Sequence, residues 1–171
     1  MQKALFLDRD GVINVEKDYL YKIEDFEFID GIFELCKYFQ DKDYKIFVVT
    51  NQSGIARGYY SEDDFQTLTS WMLKEFTKNG IKIQKVNHCP HHPNITGECS
   101  CRKPNSAMLD NIKKKFDIDM QNSIMVGDKE SDIEAGLKAG LTTTYLFDET
   151  KNIKNSQATK IISNLKEIYR C

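Results

Sequence analysis

Leu5-Phe6-Leu7-Asp8-Arg9-Asp10-Gly11-Val12-Ile13-Asn14 decides how the rest of the chain is read. An apolar run of strand length, residues 4–7, delivers two carboxylates, two positions apart, into a turn that Gly11 lets bend tightly. Carboxylates at the end of a buried strand are costly unless something pairs with them. A bound cation, with Mg2+ the natural choice for oxygen ligands, is one such partner. The blander alternative is a polar strand-to-loop junction in which Arg9 makes an ion pair with one acidic residue. The residues at the other strand ends decide between them.

Outward from that run, apolar stretches of strand length alternate with segments of helical period. Strands are expected at residues 4–7, 45–49, 82–87, 124–126 and 143–147, with a weaker one at 160–162. A helix is expected at 31–40, where Ile32, Leu35, Cys36 and Phe39 share one face. Another is expected at 61–79, where Ser61 is a good N-cap and Glu62, Asp63 and Asp64 place negative charge in the first turn. Gly80 stops that helix, and its stripe of Phe65, Leu68, Met72 and Phe76 reads as packing. Residues 106–116 and 131–139 give two more helices, the latter ended by Gly140, and 165–169 a short amphipathic piece. Apolar strands alternating with helices predict an α/β fold: a Rossmann-like parallel sheet with helices on both faces, wound by right-handed crossovers.

The 171 residues suit one domain, 1–171, and a 40% hydrophobic share with 29% charged residues is that of an ordinary globular protein. No apolar run approaches membrane-spanning length, and Met1-Gln2-Lys3 opens no signal-peptide core, so a cytoplasmic protein without a membrane partner is expected. A formal net charge of -2 gives no general reason to bind nucleic acid. Five cysteines, three of them between positions 89 and 101, argue for a metal site in a reducing compartment rather than a disulfide framework.

In a parallel sheet of this kind, ligands sit at the carboxyl ends of the strands, near the point where strand order reverses. The residues after the strands should then be chemically compatible, and they are. Asp8 and Asp10 come after the first strand, and Thr50-Asn51-Gln52-Ser53-Gly54 after the second. Gly127-Asp128-Lys129, with Asp132, comes after the fourth, and the loop after the third ends in Arg102-Lys103-Pro104. Carboxylates at separate strand ends can hold one hard divalent cation, one of them can attack phosphorus, and another can move a proton. Thr50 and Asn51 can donate hydrogen bonds to phosphoryl oxygens, while Lys103 adds a point charge and Arg102 a planar fork. Taken singly, Lys103 could be a solvated charge, Thr50 a turn residue and Asp128 a helix N-cap. Their joint placement favours phosphoryl transfer.

Asp8-Arg9-Asp10-Gly11-Val12-Ile13, Thr50-Asn51-Gln52, Lys103 and Gly127-Asp128-Lys129-Glu130-Ser131-Asp132 resemble, in order and spacing, the four motifs of the haloacid-dehalogenase-like phosphatases. The resemblance runs from about Leu5 to Gly140. It implies Asp8 as nucleophile, Asp10 as general acid/base, and Thr50 and Lys103 as stabilisers of the transferring group. It implies a Mg2+ site made by Asp8, Asp128 and Asp10, the last through its backbone carbonyl. Asp132 is left with two further readings, as a residue orienting Lys129 or as part of an exposed helix start. No long insertion comes after the first or second motif, so no large cap domain is expected, and residues 16–19 and the 89–101 loop must shape the pocket.

Cys89-Pro90-His91 and Cys99-Ser100-Cys101 offer three thiolates and an imidazole within 13 positions, the number and softness for a closed, structural Zn2+ site. His91 is preferred by spacing, and His92 stays open. Such a site would fold a loop too short for its own core and fix Arg102 and Lys103 beside the phosphate. The loop resembles a subgroup holding the heptose 1,7-bisphosphate 7-phosphatases and the histidinol-phosphate phosphatases. Residues 50–58, Cys89-Pro90-His91-His92-Pro93 and Lys129 look more like the former. A second phosphate on a small sugar bisphosphate would give Arg57, Arg102 and Lys129 a role, with Asn51, Gln52 and Ser53 also expected to bind substrate. The resemblance implies that the product, a heptose 1-phosphate, goes on to nucleotide activation for surface polysaccharide. A DNA 3'-phosphatase is disfavoured because no basic, aromatic-rich strip is present, and an inactive zinc-loop binding module because the Asp8 and Asp10 pair is intact. Monomer is the default expectation, and the preferred anomer is not legible.

Overall fold

A computed structural model describes residues 1–170; Cys171, whose reactivity the sequence left open, lies outside the described residues. In chain order the elements are β1 (Lys3–Leu7), α1 (Ile32–Gln40), β2 (Tyr44–Asn51), α2 (Glu62–Lys78), β3 (Ile83–Cys89), α3 (Pro93–Thr96) and α4 (Ala107–Phe116). Then come β4 (Ile124–Gly127), α5 (Glu130–Lys138), β5 (Thr143–Phe147), β6 (Lys160–Ile162) and α6 (Lys166–Tyr169). The strands form a single six-stranded sheet in the order β3-β2-β1-β4-β5-β6, with every pairing parallel.

The apolar run that opens the chain becomes the sheet's centre. Leu5 lies opposite Ile46 of β2 on one side and Ile124 of β4 on the other. Because side chains alternate along a strand, Leu5 and Leu7 face α1 and α2, packing with Ile32, Leu35, Cys36, Phe39, Leu68, Met72 and Phe76. Ala4 and Phe6 face the other way, toward Met108, Leu109 and Ile112 of α4 and Ala135 of α5. Both faces are thus covered, the condition under which a parallel sheet is stable. Strand order reverses between β1 and β4, so Asp8 and Asp128 leave the sheet side by side at the switch point.

Local signals set most of the ends. Ser61 Oγ accepts from the backbone N–H of Asp64, and the Asp64 carboxylate accepts from Ser61 N–H, a reciprocal cap. The differences from expectation cluster where side chains meet the site. β3 runs two residues further than the apolar pattern suggested, pairing His88 with Thr50 and Cys89 with Asn51. α5 starts at Glu130 rather than 131 and ends at Lys138, and the short α3 inside the cysteine loop was not expected. The connections after β1 and β2 contain no additional sheet or α-helix, so no large cap domain covers the strand ends. Among the described residues, no helix is long and apolar enough to cross a membrane.

Candidate active site

The turn after β1 is set by Gly11, whose φ of +89° falls in the left-handed region. A β-carbon there would stand 2.1 Å from Oδ2 of Asp128, so the absence of a side chain is what lets the two motif loops approach. Asp8 is buried beneath this contact. Lys103 Nζ, only 3% of whose residue surface is exposed, reaches Asp8 Oδ1 at 3.0 Å, Asp132 Oδ1 at 2.6 Å and the Val49 carbonyl at 2.7 Å. Asp132 Oδ2 accepts from the backbone N–H groups of Asp128 and Lys129, each at 3.1 Å. Of the two readings left open for Asp132, the exposed helix start fails because the residue is buried; it holds the Lys129 backbone, shapes the motif loop and neutralises Lys103.

One carboxylate oxygen each from Asp8, Asp128 and Asp132 lie within 4.8 Å of one another. Oδ1 of Asp128 is buried with no hydrogen-bond partner. Burial, then the charge of Asp132, pushes Asp8 up to about 6 despite Lys103. Burial, then the charges of Asp8 and Asp132, pushes Asp128 up to about 9. Lys103 is held above its usual range because Asp132 and Asp8 outweigh the effect of burial. Crowded carboxylates with an orphaned, buried oxygen fit a hard divalent cation, which removes both the repulsion and the unpaired acceptor. The Asp10 carboxylate stands outside this group, so only its backbone carbonyl is left to join Asp8 and Asp128 in the expected Mg2+ set.

The Asp10 carboxylate has its own cradle. Arg9, 1% exposed, gives Nε and Nη2 to Oδ1 at 3.3 and 2.9 Å and Nη2 to Oδ2 at 3.1 Å. Asn14 Nδ2 donates to Oδ1 at 3.0 Å, and Gln52 Nε2 donates to Oδ2 at 3.0 Å. The Arg9 ion pair and the paired-acid site are thus both present, on different carboxylates. Asn14 was missed from the sequence, although a polar residue ending the Val12-Ile13 pair and wholly buried needs a partner.

A cleft of about 630 Å³ opens over these groups, lined by Asp8, Asp10, Ser53, Arg57, Arg102, Lys103 and Lys129 among others. Arg57 stacks its guanidinium over Tyr19, 5.6 Å from the ring centre, and its buried Nε has no hydrogen-bond partner. Asn51 lines the cleft, but its amide spans the backbone of Lys103, donating to the carbonyl at 3.1 Å and accepting from the N–H at 3.0 Å. Gln52 is 2% exposed. Its Nε2 donates to Asp10 and to Thr50 Oγ1, and its Oε1 accepts from Tyr60 Oη. Gln52 lines the cleft, as expected of a substrate-binding residue, with both its N–H donors spent on Asp10 and Thr50.

In the cysteine loop, Cys99 Sγ lies 3.6 Å from Cys89 Sγ and 3.5 Å from Cys101 Sγ. Three thiols converging at these separations suit a soft tetrahedral ion such as Zn2+. Among the described residues no histidine nitrogen joins that cluster. The His91 backbone touches the Cys89 thiol, and its carbonyl accepts from Arg102 at 3.4 Å, so His91 stands beside the cluster without its ring joining it, while His92 Nδ1 accepts from Asn94 N–H in capping α3.

A family profile described as HAD-hydrolase-like matches residues 100–168. Over 166 residues, the chain is 58% identical to the D-glycero-alpha-D-manno-heptose-1,7-bisphosphate 7-phosphatase of Campylobacter jejuni subsp. jejuni serotype O:2, covering 97% of this chain and 93% of that one. It is 46% identical over 157 residues to the D-glycero-beta-D-manno-heptose-1,7-bisphosphate 7-phosphatase of Haemophilus influenzae, covering 90% and 85%. The crystal structure of D,D-heptose 1,7-bisphosphate phosphatase from B. bronchiseptica, complexed with magnesium and phosphate, superposes with a TM-score of 0.84 at 26% identity, covering 97% and 95%.

Proposed function

Since the chain belongs to the heptose-1,7-bisphosphate 7-phosphatase family of HAD-like phosphoric monoester hydrolases, we propose that it removes the 7-phosphate of D-glycero-D-manno-heptose 1,7-bisphosphate through an aspartyl-phosphate on Asp8. The observation that carries this reading is the pair of differently housed carboxylates in one cleft: Asp8 among Lys103, Asp128 and Asp132, and Asp10 in its separate cradle.

Asp8 attacks phosphorus, the bond from phosphorus to the sugar oxygen breaks, and Asp10 gives its proton to that oxygen. The sugar leaves as heptose 1-phosphate. Asp10, now a base, takes a proton from water as the water attacks the phosphoryl group, and the bond to Asp8 breaks to release inorganic phosphate. Lys103 and Thr50 donate to the phosphoryl oxygens, and Asn51 holds the backbone that carries Lys103. Mg2+ held by Asp8, Asp128 and the Asp10 carbonyl would shield the phosphate's negative charge. Arg57, Arg102, Lys129 and Ser53 would bind the second phosphate and the sugar, with Zn2+ on Cys89, Cys99, Cys101 and His91 fixing the loop that carries Arg102 and Lys103. The enzyme would work as a monomeric single domain in the cytoplasm, supplying sugar phosphate for nucleotide activation.

The test is phosphate release in the presence of Mg2+ from both anomers of the heptose bisphosphate and from histidinol phosphate in parallel. The alpha anomer, named for the 58% identical relative, is the preferred substrate in this reading. A kcat/KM advantage over histidinol phosphate of about a hundredfold, roughly 2.7 kcal/mol of transition-state binding, is expected. Faster turnover of histidinol phosphate would overturn the substrate assignment and leave the chemistry at Asp8 and Asp10 standing.

A further inference from the structure

We propose that Gln52 is a positioning residue for proton transfer, and that the oxygen of Asp10 which carries the proton is Oδ2. The inference rests on the reading of Asp10 as the acid of the first step. A carboxylate has about four acceptor sites, two on each oxygen. Oδ1 receives Arg9 Nε, Arg9 Nη2 and Asn14 Nδ2, which fills it. One Arg9 Nη2 hydrogen goes to the Leu20 carbonyl and the other is shared, lying nearer Oδ1 at 2.9 Å than Oδ2 at 3.1 Å, so the only undivided bond to Oδ2 is that from Gln52 Nε2. The remaining acceptor site, where a proton can reside and face the leaving oxygen, is therefore on the atom that Gln52 holds.

Gln52 is itself held on every polar atom. Its second N–H goes to Thr50 Oγ1 at 2.9 Å, and its Oε1 takes the Tyr60 hydroxyl, which fixes which end of the amide faces Asp10. Tyr60 can close on it because residue 54 is glycine: a β-carbon there would lie 2.2 Å from the Tyr60 ring. Tyr21 stacks on the outer face of Tyr60 at 5.5 Å and 13°. One buried amide thus locks the proton carrier to Thr50 at the neighbouring strand end.

A residue that acts through the acid matters when the departing oxygen needs a proton and not otherwise. The sugar leaves as a strongly basic alkoxide unless protonated, whereas p-nitrophenolate leaves unaided. Since kcat/KM reports steps up to departure of the leaving group, it isolates the first half-reaction. Gln52→Met keeps the volume and removes both donors. It is expected to lower kcat/KM for the heptose bisphosphate by about 10- to 100-fold, the size of one hydrogen bond to a charged group, and to change that for p-nitrophenyl phosphate by less than about threefold. Gln52→Glu, which retains an acceptor for Tyr60 but presents a second carboxylate to Oδ2, is expected to show the same pattern with a larger loss. It also serves if the Met variant does not fold. Equal losses on both substrates would make Gln52 merely structural and overturn the proposal, as would an unchanged rate on the sugar. If the wild-type enzyme ignores the heptose bisphosphate, the substrate reading fails separately. The comparison then runs with whichever alkyl phosphate it does hydrolyse.

Discussion

Asp8 and Asp128 are carboxyls whose charges the fold opposes. Both sit above the 3.8 of a free aspartate, at about 6 and about 9, because burial and neighbouring carboxylates oppose ionisation. A carboxyl raised on folding contributes stability that is complete below its unfolded pKa and is lost as pH rises through the folded one. Metal-free protein should therefore lose Tm between about pH 4 and pH 9, and added Mg2+ should recover most of the loss at the alkaline end. Melting curves in EDTA and in Mg2+ that stay parallel across this range would contradict the cation site. Asp119, Asp148 and Glu167 are shifted down by hydrogen bonds, so their contribution is lost only in acid, below this window. Asp8→Asn should lower turnover by at least about a thousandfold with an unchanged circular dichroism spectrum; retained turnover would remove the proposed nucleophile. Gly11→Ala combines a left-handed φ with a 2.1 Å clash on Asp128, and should weaken Mg2+ binding, measured by titration calorimetry, as well as activity. The motif aspartates, Thr50 and Lys103 were legible from their order in the chain. The bonds from Gln52 to Asp10, 42 positions away, and from Lys103 to Asp8, 95 positions away, were not, because a buried polar residue finds its mates through space.

At the scale of the element, β3 and the loop after it invite a mutation series. The strand pairs Cys89 directly with Asn51, so one of the three thiols is held by the sheet ladder while the other two arrive on a loop. In the proposed zinc site the metal would supply the remaining order of a loop anchored in this way. Cys99→Ser should therefore lose zinc by elemental analysis and lower Tm by several degrees, a loss of about 2 kcal/mol or more. Because Lys103 lies within four residues of Cys99, kcat should fall as well. Full zinc occupancy in that variant would exclude the thiol as a ligand. His92 already spends Nδ1 on capping α3, so His91→Ala should lower zinc content and His92→Ala should leave it unchanged. The extension of β3 was hidden in the sequence because His88 breaks its apolar pattern and Cys89 reads as the start of the cysteine loop, and only the ladder with β2 shows that they continue the strand.

For the whole molecule, the monomer expectation is checked by light scattering, which should give a mass near the chain's 19.8 kDa; a mass of about twice that would replace it with a dimer. The architecture separates what near neighbours encode from what distant ones do. Hydrophobic period, capping residues and glycine stops are properties of a few consecutive residues, so the sequence by itself determined the alternation of strands and helices, the helix ends at Ser61 and Gly80, and the carboxylates that would crowd one cleft. Strand order is a different kind of fact. Nothing local to residues 4–7 says that they take β2 on one side and β4 on the other, yet that choice puts Asp8 beside Asp128 and closes Lys103 between Asp8 and Asp132. Only the tertiary structure decided this, along with the bond from Gln52 to Asp10, because contact energies between residues far apart in the chain exist only once the sheet has brought them together.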